Sequence, residues 1–154
     1  MLHQIQGLHH VTSMASSAQQ NNGFFTDALG LRRVKKTVNF DAPDVYHLYY
    51  GDAAGTPGSV ITYFPFPGIG PRRAGVGEVG ETQLAVPRES LPWWRDRLTD
   101  RGVAALRAET RFGETRLAFA GPDGEELALI EADDDRTPYT GSGVPEELAI
   151  RGFH

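Results

Sequence analysis

The sequence contains no cysteine, and this absence excludes several kinds of site at once. Disulfide bonds, zinc–thiolate centres and thiol nucleophiles all need cysteine sulfur. Long apolar runs are also missing, because the longest, such as Val60–Phe66, are far too short to span a bilayer. Met1–Gly7 lacks the basic and apolar regions of a secretory signal. We therefore expect a cytoplasmic protein with no membrane partner.

An excess of positive charge is absent as well. The chain has 20 Asp and Glu against 15 Lys and Arg, which gives a formal net charge of −5. Nucleic-acid binding requires clustered basic residues that replace counterions. The one short basic stretch, Arg32–Lys36, alternates with Val34 and is typical of the solvent-facing side of a strand. We predict no nucleic-acid partner. A glycine-rich phosphate loop, a nucleophile-elbow serine and an HExxH zinc helix are missing too.

The composition that remains suits a single globular domain. The chain has 154 residues, of which 40% are hydrophobic and 23% charged. That length favours one compact domain with its own core rather than two large ones.

The first half of the chain predicts one strand, one helix and three further strands. Ser16 or Ser17 can cap the helix, which we expect over 16–30, and Gly30 ends it. Runs rich in β-branched and aromatic residues, separated by turn residues, predict the strands. These strands lie at 8–15, 31–40, 45–51 and 59–66.

The second half repeats this order. Ser90 can cap a helix that contains Trp93, Trp94 and Leu98 and ends at Gly102. The strands are predicted at 82–86, 104–110, 114–119 and 126–131. Strand, helix and three strands, repeated twice, predict an α+β domain of two βαβββ modules. If the concave faces of the two sheets pair, they form an open barrel around a cavity for a small ligand.

These elements suggest boundaries along the chain. We assign 1–66 to the first module, 67–78 to a linker, 79–134 to the second module and 135–154 to a tail. The end of the tail, Arg151–His154, resembles Gln6–His9 at the approach to the first strand. We therefore expect the tail to lead toward a third module that this chain lacks.

Several motifs resemble one known family. The module order, His9–His10 at the first strand and Gly121–Gly124 before the last strand are similar to the glyoxalase/bleomycin-resistance/extradiol dioxygenase superfamily. More narrowly, the chain resembles hydroquinone-type ring-cleaving dioxygenases over nearly its whole length. The segments that carry this resemblance are 7–12, 41–52, 55–64, 93–94, 110–113 and 151–154.

The resemblance implies a metal-dependent reaction with O2. Members of that family are about twice as long, have four modules and bind Fe(II) or Mn(II) through two histidines and one carboxylate. Their substrate is a small dihydroxy-aromatic ring. On this pattern, His10 is a metal ligand that aims into a pocket, and His9 is a catalytic neighbour that orients the substrate. The remaining ligands belong to later modules, so the site in this chain is incomplete.

Other residues in the chain are weaker candidates. When 81–86 is aligned with 10–15, Glu81 takes the position equivalent to His10. Glu81 is then either a metal ligand or a solvent-exposed residue at the start of a strand. The equivalent last-strand positions, Thr62 and Ala128, are not useful ligands. His47 either lines the cavity or packs within the sheet. A group of aromatic residues either forms the core of the sheet or stacks on an aromatic substrate. Its members are Tyr46, Tyr49, Tyr50, Tyr63, Phe64 and Phe66.

Three functions follow from these observations. The first is the N-terminal domain of a non-haem Fe(II) or Mn(II) extradiol-type dioxygenase, inactive as an isolated half. The alternative is a metal-free dimeric module of the bleomycin-resistance type that binds a small ligand. The third is a half-enzyme whose remaining ligands come from another polypeptide. In each case an uncovered apolar surface favours a homodimer or pairing with a missing C-terminal half.

Overall fold

The computed structural model describes residues 4–70, 72–73 and 75–154. The predictions for the first three residues and for part of the linker at 67–78 lie outside the described residues. Within the described ranges, no helix is both long enough and apolar enough to cross a membrane.

The first module is a four-stranded sheet with one helical segment. Its strands are β1 (His10–Ala15), β2 (Arg32–Val38), β3 (Tyr46–Gly51) and β4 (Val60–Pro65). They lie in the order β1-β4-β3-β2, with β1 parallel to β4 and the other pairs antiparallel. All four predicted strands are present, each shortened at one or both ends.

The helical segment of this module has two parts. Helix α1 (Ala18–Gly23) begins after Ser17, whose hydroxyl accepts a 3.3 Å hydrogen bond from the Gln20 amide. A π-helical turn, Phe24–Ala28, continues it. Gly30 then ends the segment with a φ of +70°, in the left-handed region that glycine adopts at helix ends. The predicted helix and its Ser17 cap are confirmed, whereas the π-helical geometry was not predicted.

The second module has the same plan. Its elements are β5 (Thr82–Val86), α2 (Leu91–Asp100), β6 (Arg107–Arg111), β7 (Glu114–Ala120) and β8 (Glu126–Glu131). The sheet order β6-β7-β8-β5 matches that of the first module, and β5 is again parallel to β8. The predicted α+β fold of two βαβββ modules is confirmed. The capping role of Ser90 is wrong, because its hydroxyl donates to the carbonyl of Pro87 at 2.5 Å and does not cap the helix.

One hydrophobic core joins the two modules. Phe25 of the π-helical turn stacks on Tyr50 of β3 with ring centroids 4.9 Å apart. Trp94 and Leu98 of α2 are fully buried in the same cluster. The strand residues of this cluster all come from the helix-facing side of each sheet: Ala15, Leu48, Tyr50, Ile61, Tyr63, Leu84, Val86, Leu117, Phe119, Leu127 and Leu129.

This core corrects one expectation about the fold. We expected the sheets to pair through the faces that carry no helix and so to form a barrel around a cavity. Instead the helix-covered faces share the core, because they hold the largest apolar side chains. The face of each sheet on the other side is called its outer face below. The outer faces of the two sheets therefore do not enclose a common cavity.

The C-terminal residues connect the two sheets. A short strand, β9 (Gly152–Phe153), pairs antiparallel with the free edge of β5. The amide of Phe153 also donates to the carbonyl of Gly58, at 2.7 Å, in the loop between β3 and β4. The last residues thus hold a loop of the first module against the edge of the second sheet.

Candidate functional site

The outer face of the first sheet gathers several polar and aromatic side chains. Strand register places Thr12 of β1, Thr62 of β4 and Tyr49 of β3 in one row across the sheet. Because side chains alternate along a strand, His10 and His47 share this face with them. His10 is exposed, whereas Thr62 is fully buried beneath its neighbours.

His9 and His10 contact each other through their rings. Their Nδ1 atoms lie 3.1 Å apart, and the rings meet edge to face with centroids 5.2 Å apart. Neighbouring side chains within a β-strand point to opposite faces of the sheet. That rule does not apply here, because β1 begins only at His10 and His9 precedes it. One Nδ1 must donate and the other accept, so the contact orients both rings and directs Nε2 of His10 away from His9.

The backbone around His9 is held by a glycine. The amide of Gly58 donates to the carbonyl of His9 at 2.8 Å, and Gly58 has a φ of +89°. The Gly58 carbonyl accepts a second bond from Arg136, at 3.2 Å, and Arg136 also binds the carbonyl of Phe153 at 2.7 Å. The start of β1 is therefore tied to the end of the chain through one loop.

His47 lies in an aromatic environment on the same outer face. Its ring is packed between Tyr49 and Phe64, with centroids 4.1 and 4.0 Å away. Nδ1 of His47 is 2.8 Å from the Tyr49 hydroxyl. Burial lowers the pKa of His47, and the nearby charges of His10 and Lys35 lower it further. The imidazole is therefore predominantly neutral at pH 7. Of the two interpretations of His47, packing within the sheet describes its position, because its ring contacts Tyr49 and Phe64 of the same sheet. The other interpretation, that His47 lines a cavity with His10, stays a prediction.

The aromatic group divides between the two faces of the sheet. Tyr50 and Tyr63 belong to the core, and the Tyr63 hydroxyl donates to Glu125 at 3.0 Å. Tyr49 and Phe64 lie on the outer face beside His47. Tyr46 is exposed, with Lys36 over its ring at 3.7 Å.

Glu81 lies immediately before β5 of the second sheet and is already bound by arginine. Its two carboxylate oxygens accept hydrogen bonds of 2.7 and 2.5 Å from Arg116, which is only 3% exposed. Burial alone raises the pKa of Glu81, but hydrogen bonds from Arg116 and Gln83 outweigh it and bring the pKa below its usual value. The geometry therefore does not support Glu81 as a metal ligand, because its oxygens neutralise a buried guanidinium. Nor is it the solvent-exposed alternative, since 15% of its side chain is accessible.

The structure brings together only part of the predicted site. His9 and His10 meet, whereas Glu81 lies beside the second sheet, immediately before β5. Thr62 hydrogen-bonds to Thr12 at 2.8 Å, and Ala128 is fully buried. Within the described ranges, no group of three or more His, Asp or Glu side chains is placed to hold a metal ion. The pocket expected around His10 is not formed by this chain alone, because the ring is exposed.

Two contributors to this arrangement were not predicted. Arg116 lies in no motif, and Gly58 was noted only as part of the 55–64 segment of the family resemblance. Their roles here arise from contacts with residues 35 and 49 positions away in the chain. For Arg116, an arginine within an apolar strand could have signalled a buried ion pair.

Comparisons with known proteins agree with this fold. The sequence profile of the Glyoxalase/Bleomycin resistance protein/Dioxygenase superfamily matches residues 7–129. A Bacillus subtilis (strain 168) protein named "Putative ring-cleaving dioxygenase MhqE" is 43% identical over 149 residues, which cover 96% of this chain and 49% of the relative. The "Chlorohydroquinone/hydroquinone 1,2-dioxygenase" of Sphingobium indicum is 39% identical over 155 residues, covering 97% of this chain and 48% of the relative.

A solved structure shows the same arrangement. The crystal structure of a protein named "putative dioxygenase from Bacillus subtilis subsp. subtilis str. 168" superimposes with a TM-score of 0.89 at 39% identity. The superposition covers 96% of this chain and 47% of that one. The chain thus spans about half the length of the curated relatives that it matches. With the profile, the sequence identity and the superposition in agreement, this chain belongs to the glyoxalase/bleomycin resistance protein/dioxygenase superfamily.

Proposed function

We propose that the chain is the N-terminal domain of a non-haem, Fe(II)- or Mn(II)-dependent extradiol-type dioxygenase that cleaves a hydroquinone or catechol ring with O2. The observation that carries this proposal is the contact between His9 and His10 on the outer face of the first sheet. The names of the relatives support the reaction class, since one is a hydroquinone 1,2-dioxygenase.

His10 is the one residue in this proposal that donates electrons to the metal. Its Nδ1 is engaged by His9, so Nε2 is the nitrogen that would bind a divalent cation. His9 holds the imidazole in place and is near enough to accept or donate a proton at the substrate hydroxyl. A bound Fe(II) or Mn(II) would supply open coordination positions for the ring oxygens and O2.

The described residues supply one of the three ligands that such a site requires. The outer face of the second sheet does not supply the rest, since Arg116 occupies both oxygens of Glu81. We therefore propose that the second histidine and the carboxylate come from outside this chain. On its own the chain then has little or no dioxygenase activity.

The free edge of β1 is where a strand from outside this chain would pair. Among the described residues, β4 is the only strand that pairs with β1, whereas the equivalent strand β5 has β8 on one side and β9 on the other. By analogy, an antiparallel strand pairs with β1 and its module covers His10. We propose that this strand comes from a second copy of the chain or from a C-terminal half. If His10 remains in bulk solvent in the assembled protein, the dioxygenase proposal is wrong.

Metal binding at His10 tests this proposal directly. Anaerobic titration of the purified chain with Fe(II), or with Co(II) as a spectroscopic probe, is compared with His10→Ala and with the control His154→Ala. We expect weak binding that His10→Ala removes and His154→Ala retains. Oxygen uptake with methylhydroquinone and Fe(II) should stay at background for the chain alone. Robust turnover would show that the chain is not an incomplete enzyme, and binding that survives His10→Ala would exclude the assigned ligand.

A second candidate function is a metal-free dimeric module that binds a small ligand. It is favoured by the absence of a metal-binding group among the described residues and by the pairing of Glu81 with Arg116. Metal analysis distinguishes the candidates. No bound metal under any condition favours the binding module, and metal bound only with a partner favours a half-enzyme.

The remaining assignments are also proposals. We place the module boundaries at 1–66 and 79–134, joined by the linker at 67–78, with the tail at 135–154. We propose the cytoplasm as the location, since an Fe(II) enzyme with no cysteine gains nothing from an oxidising compartment.

A further inference from the structure

His47, Tyr49 and Phe64 form a compact group, called the His47 cluster below. The three rings lie on the outer face of the first sheet, the face that carries His10. Tyr49 shares a row of the sheet with Thr62 and Thr12. His47 is near enough to His10 for the charge of that residue to act on it. The cluster therefore lies on the same face of the sheet as His10.

One polar atom of the cluster has no partner. Nδ1 of His47 is engaged by the Tyr49 hydroxyl at 2.8 Å, but Nε2 is buried and makes no hydrogen bond to any described residue. A buried nitrogen without a partner is unfavourable, because it has lost its water without gaining a replacement bond. A bound molecule that reaches Nε2 would complete its hydrogen bonding.

The chemistry of that molecule follows from the imidazole. A neutral imidazole has one donor nitrogen and one acceptor nitrogen, and the Tyr49 hydroxyl can serve Nδ1 in either role. Nε2 is therefore a hydrogen-bond acceptor in one tautomer and a donor in the other. A phenolic hydroxyl can pair with Nε2 in either case. Lys35, whose ammonium lies 5.6 Å from the centre of the Tyr49 ring, adds positive charge that favours an oxygen with negative character.

The surroundings of Nε2 favour an aromatic partner over an aliphatic one. Tyr49 and Phe64 flank the imidazole with ring centroids 4.1 and 4.0 Å away, so the immediate surroundings of Nε2 are aromatic. A hydroxyl on a flat ring can therefore reach Nε2 while the ring itself replaces water on an apolar surface.

We propose that the His47 cluster binds a phenolic hydroxyl of a single aromatic ring, with His47 Nε2 bonded to the hydroxyl and Tyr49 and Phe64 against the ring. The substrate class rests on the proposed function, but the binding itself requires no metal. His47 is then a residue that positions and selects hydroxylated rings, and Tyr49 orients its imidazole.

The test measures binding of hydroquinone to the full chain without metal, in a chelating, oxygen-free buffer. The imidazole resonances are followed by NMR during the titration, and 1,4-dimethoxybenzene serves as the ligand that keeps the ring but lacks the hydroxyl. We expect a saturable shift of the His47 resonance with hydroquinone. Affinity for dimethoxybenzene should be about 3- to 10-fold weaker, the effect of one lost hydrogen bond.

Variants connect the shift to the cluster. His47→Leu should weaken hydroquinone binding about 3- to 10-fold, and Tyr49→Phe should also weaken it, because the imidazole loses its orienting bond. Tyr46→Phe, at an exposed tyrosine of the same strand, is the matched control and should bind as the parent does. If His47→Leu does not fold by circular dichroism, Tyr49→Phe decides the result alone.

Two results would overturn the inference: no saturable shift of His47, or equal affinity in the parent, His47→Leu and Tyr49→Phe. Failure of the proposed dioxygenase function would leave a different signature. In that case His10→Ala changes no metal binding, while hydroquinone still binds at the His47 cluster.

Discussion

Glu81 and Arg116 form a two-point ion pair on the outer face of the second sheet, with oxygen–nitrogen distances of 2.7 and 2.5 Å. Arg116 also donates to Glu109 at 2.8 Å, so the buried guanidinium contacts two carboxylates. In the first sheet the corresponding face is uncovered and carries His10. The two modules share a topology, but the second sheet holds this ion pair on the face where the first sheet carries His10.

Glu81→Gln should destabilise the chain by about 3 kcal/mol, because it leaves the charge of Arg116 buried with a weaker partner. Urea unfolding measures the change. The double variant Glu81→Gln/Arg116→Met should recover most of the loss, since it removes both charges together. Asp133→Asn, which breaks the exposed ion pair with Arg88, is the control and should leave the urea concentration at the unfolding midpoint unchanged. Equal effects of Glu81→Gln and Asp133→Asn would contradict a special role for the buried pair.

The lowered pKa of His47 predicts a pH dependence of stability. Burial, His10 and Lys35 depress the pKa in the folded chain, so the unfolded chain binds a proton more readily. The stabilisation is complete above the unfolded value of about 6.5 and is lost as the pH falls through the folded pKa. The free energy of unfolding, measured between pH 8 and 5, should fall more steeply in the parent than in His47→Gln. Parallel curves would show that His47 titrates normally.

Gly58→Ala should destabilise the chain by about 1–2 kcal/mol, because its φ of +89° is unfavourable for a residue with a Cβ atom. No steric clash adds to this effect, since the nearest atom to the new Cβ is 3.5 Å away, on Arg136. Thermal unfolding compares it with Gly70→Ala, at a position where a Cβ meets nothing within 4 Å. If both variants unfold at the same temperature as the parent, a side chain at position 58 does not strain the backbone.

Trp94 and Trp93 are neighbours on α2 with different surroundings, which makes them a matched pair. Trp94 is fully buried, and its Nε1 donates to the carbonyl of Leu148 at 2.9 Å. Trp94→Phe should cost about 2–3 kcal/mol from lost packing and an unpaired carbonyl. Trp93 is only partly buried, so Trp93→Phe should cost less than about 1 kcal/mol. Chemical denaturation of both variants measures the two losses of stability. A larger loss for Trp93→Phe than for Trp94→Phe would be inconsistent with this packing.

Self-association should depend on the uncovered outer face of the first sheet. Met14 on β1 is 56% exposed beside the free strand edge. Light scattering of the chain alone should show a concentration-dependent dimer, which Met14→Lys weakens through the burial of a charge. Phe112→Lys is the control, because Phe112 is 89% exposed at the turn between β6 and β7. A monomer at all concentrations would rule out the second copy as the covering layer.

Local pattern in the sequence was sufficient for the order and position of the elements. Alternating apolar residues, the cap at Ser17 and the terminator at Gly30 act within a few residues of the chain, so a reader of the sequence can recognise them. His9–His10 was singled out only through the family resemblance. The family resemblance likewise depended on short segments.

The tertiary structure alone decided which faces meet. The shared core between the helix-covered faces, the pairing of Glu81 with Arg116 and the tie between Gly58 and His9 all join residues far apart in the chain. Periodicity specifies that a face is apolar, but not which other face will cover it. That choice depends on the total area and charge that can be buried at once, a property of the folded chain as a whole.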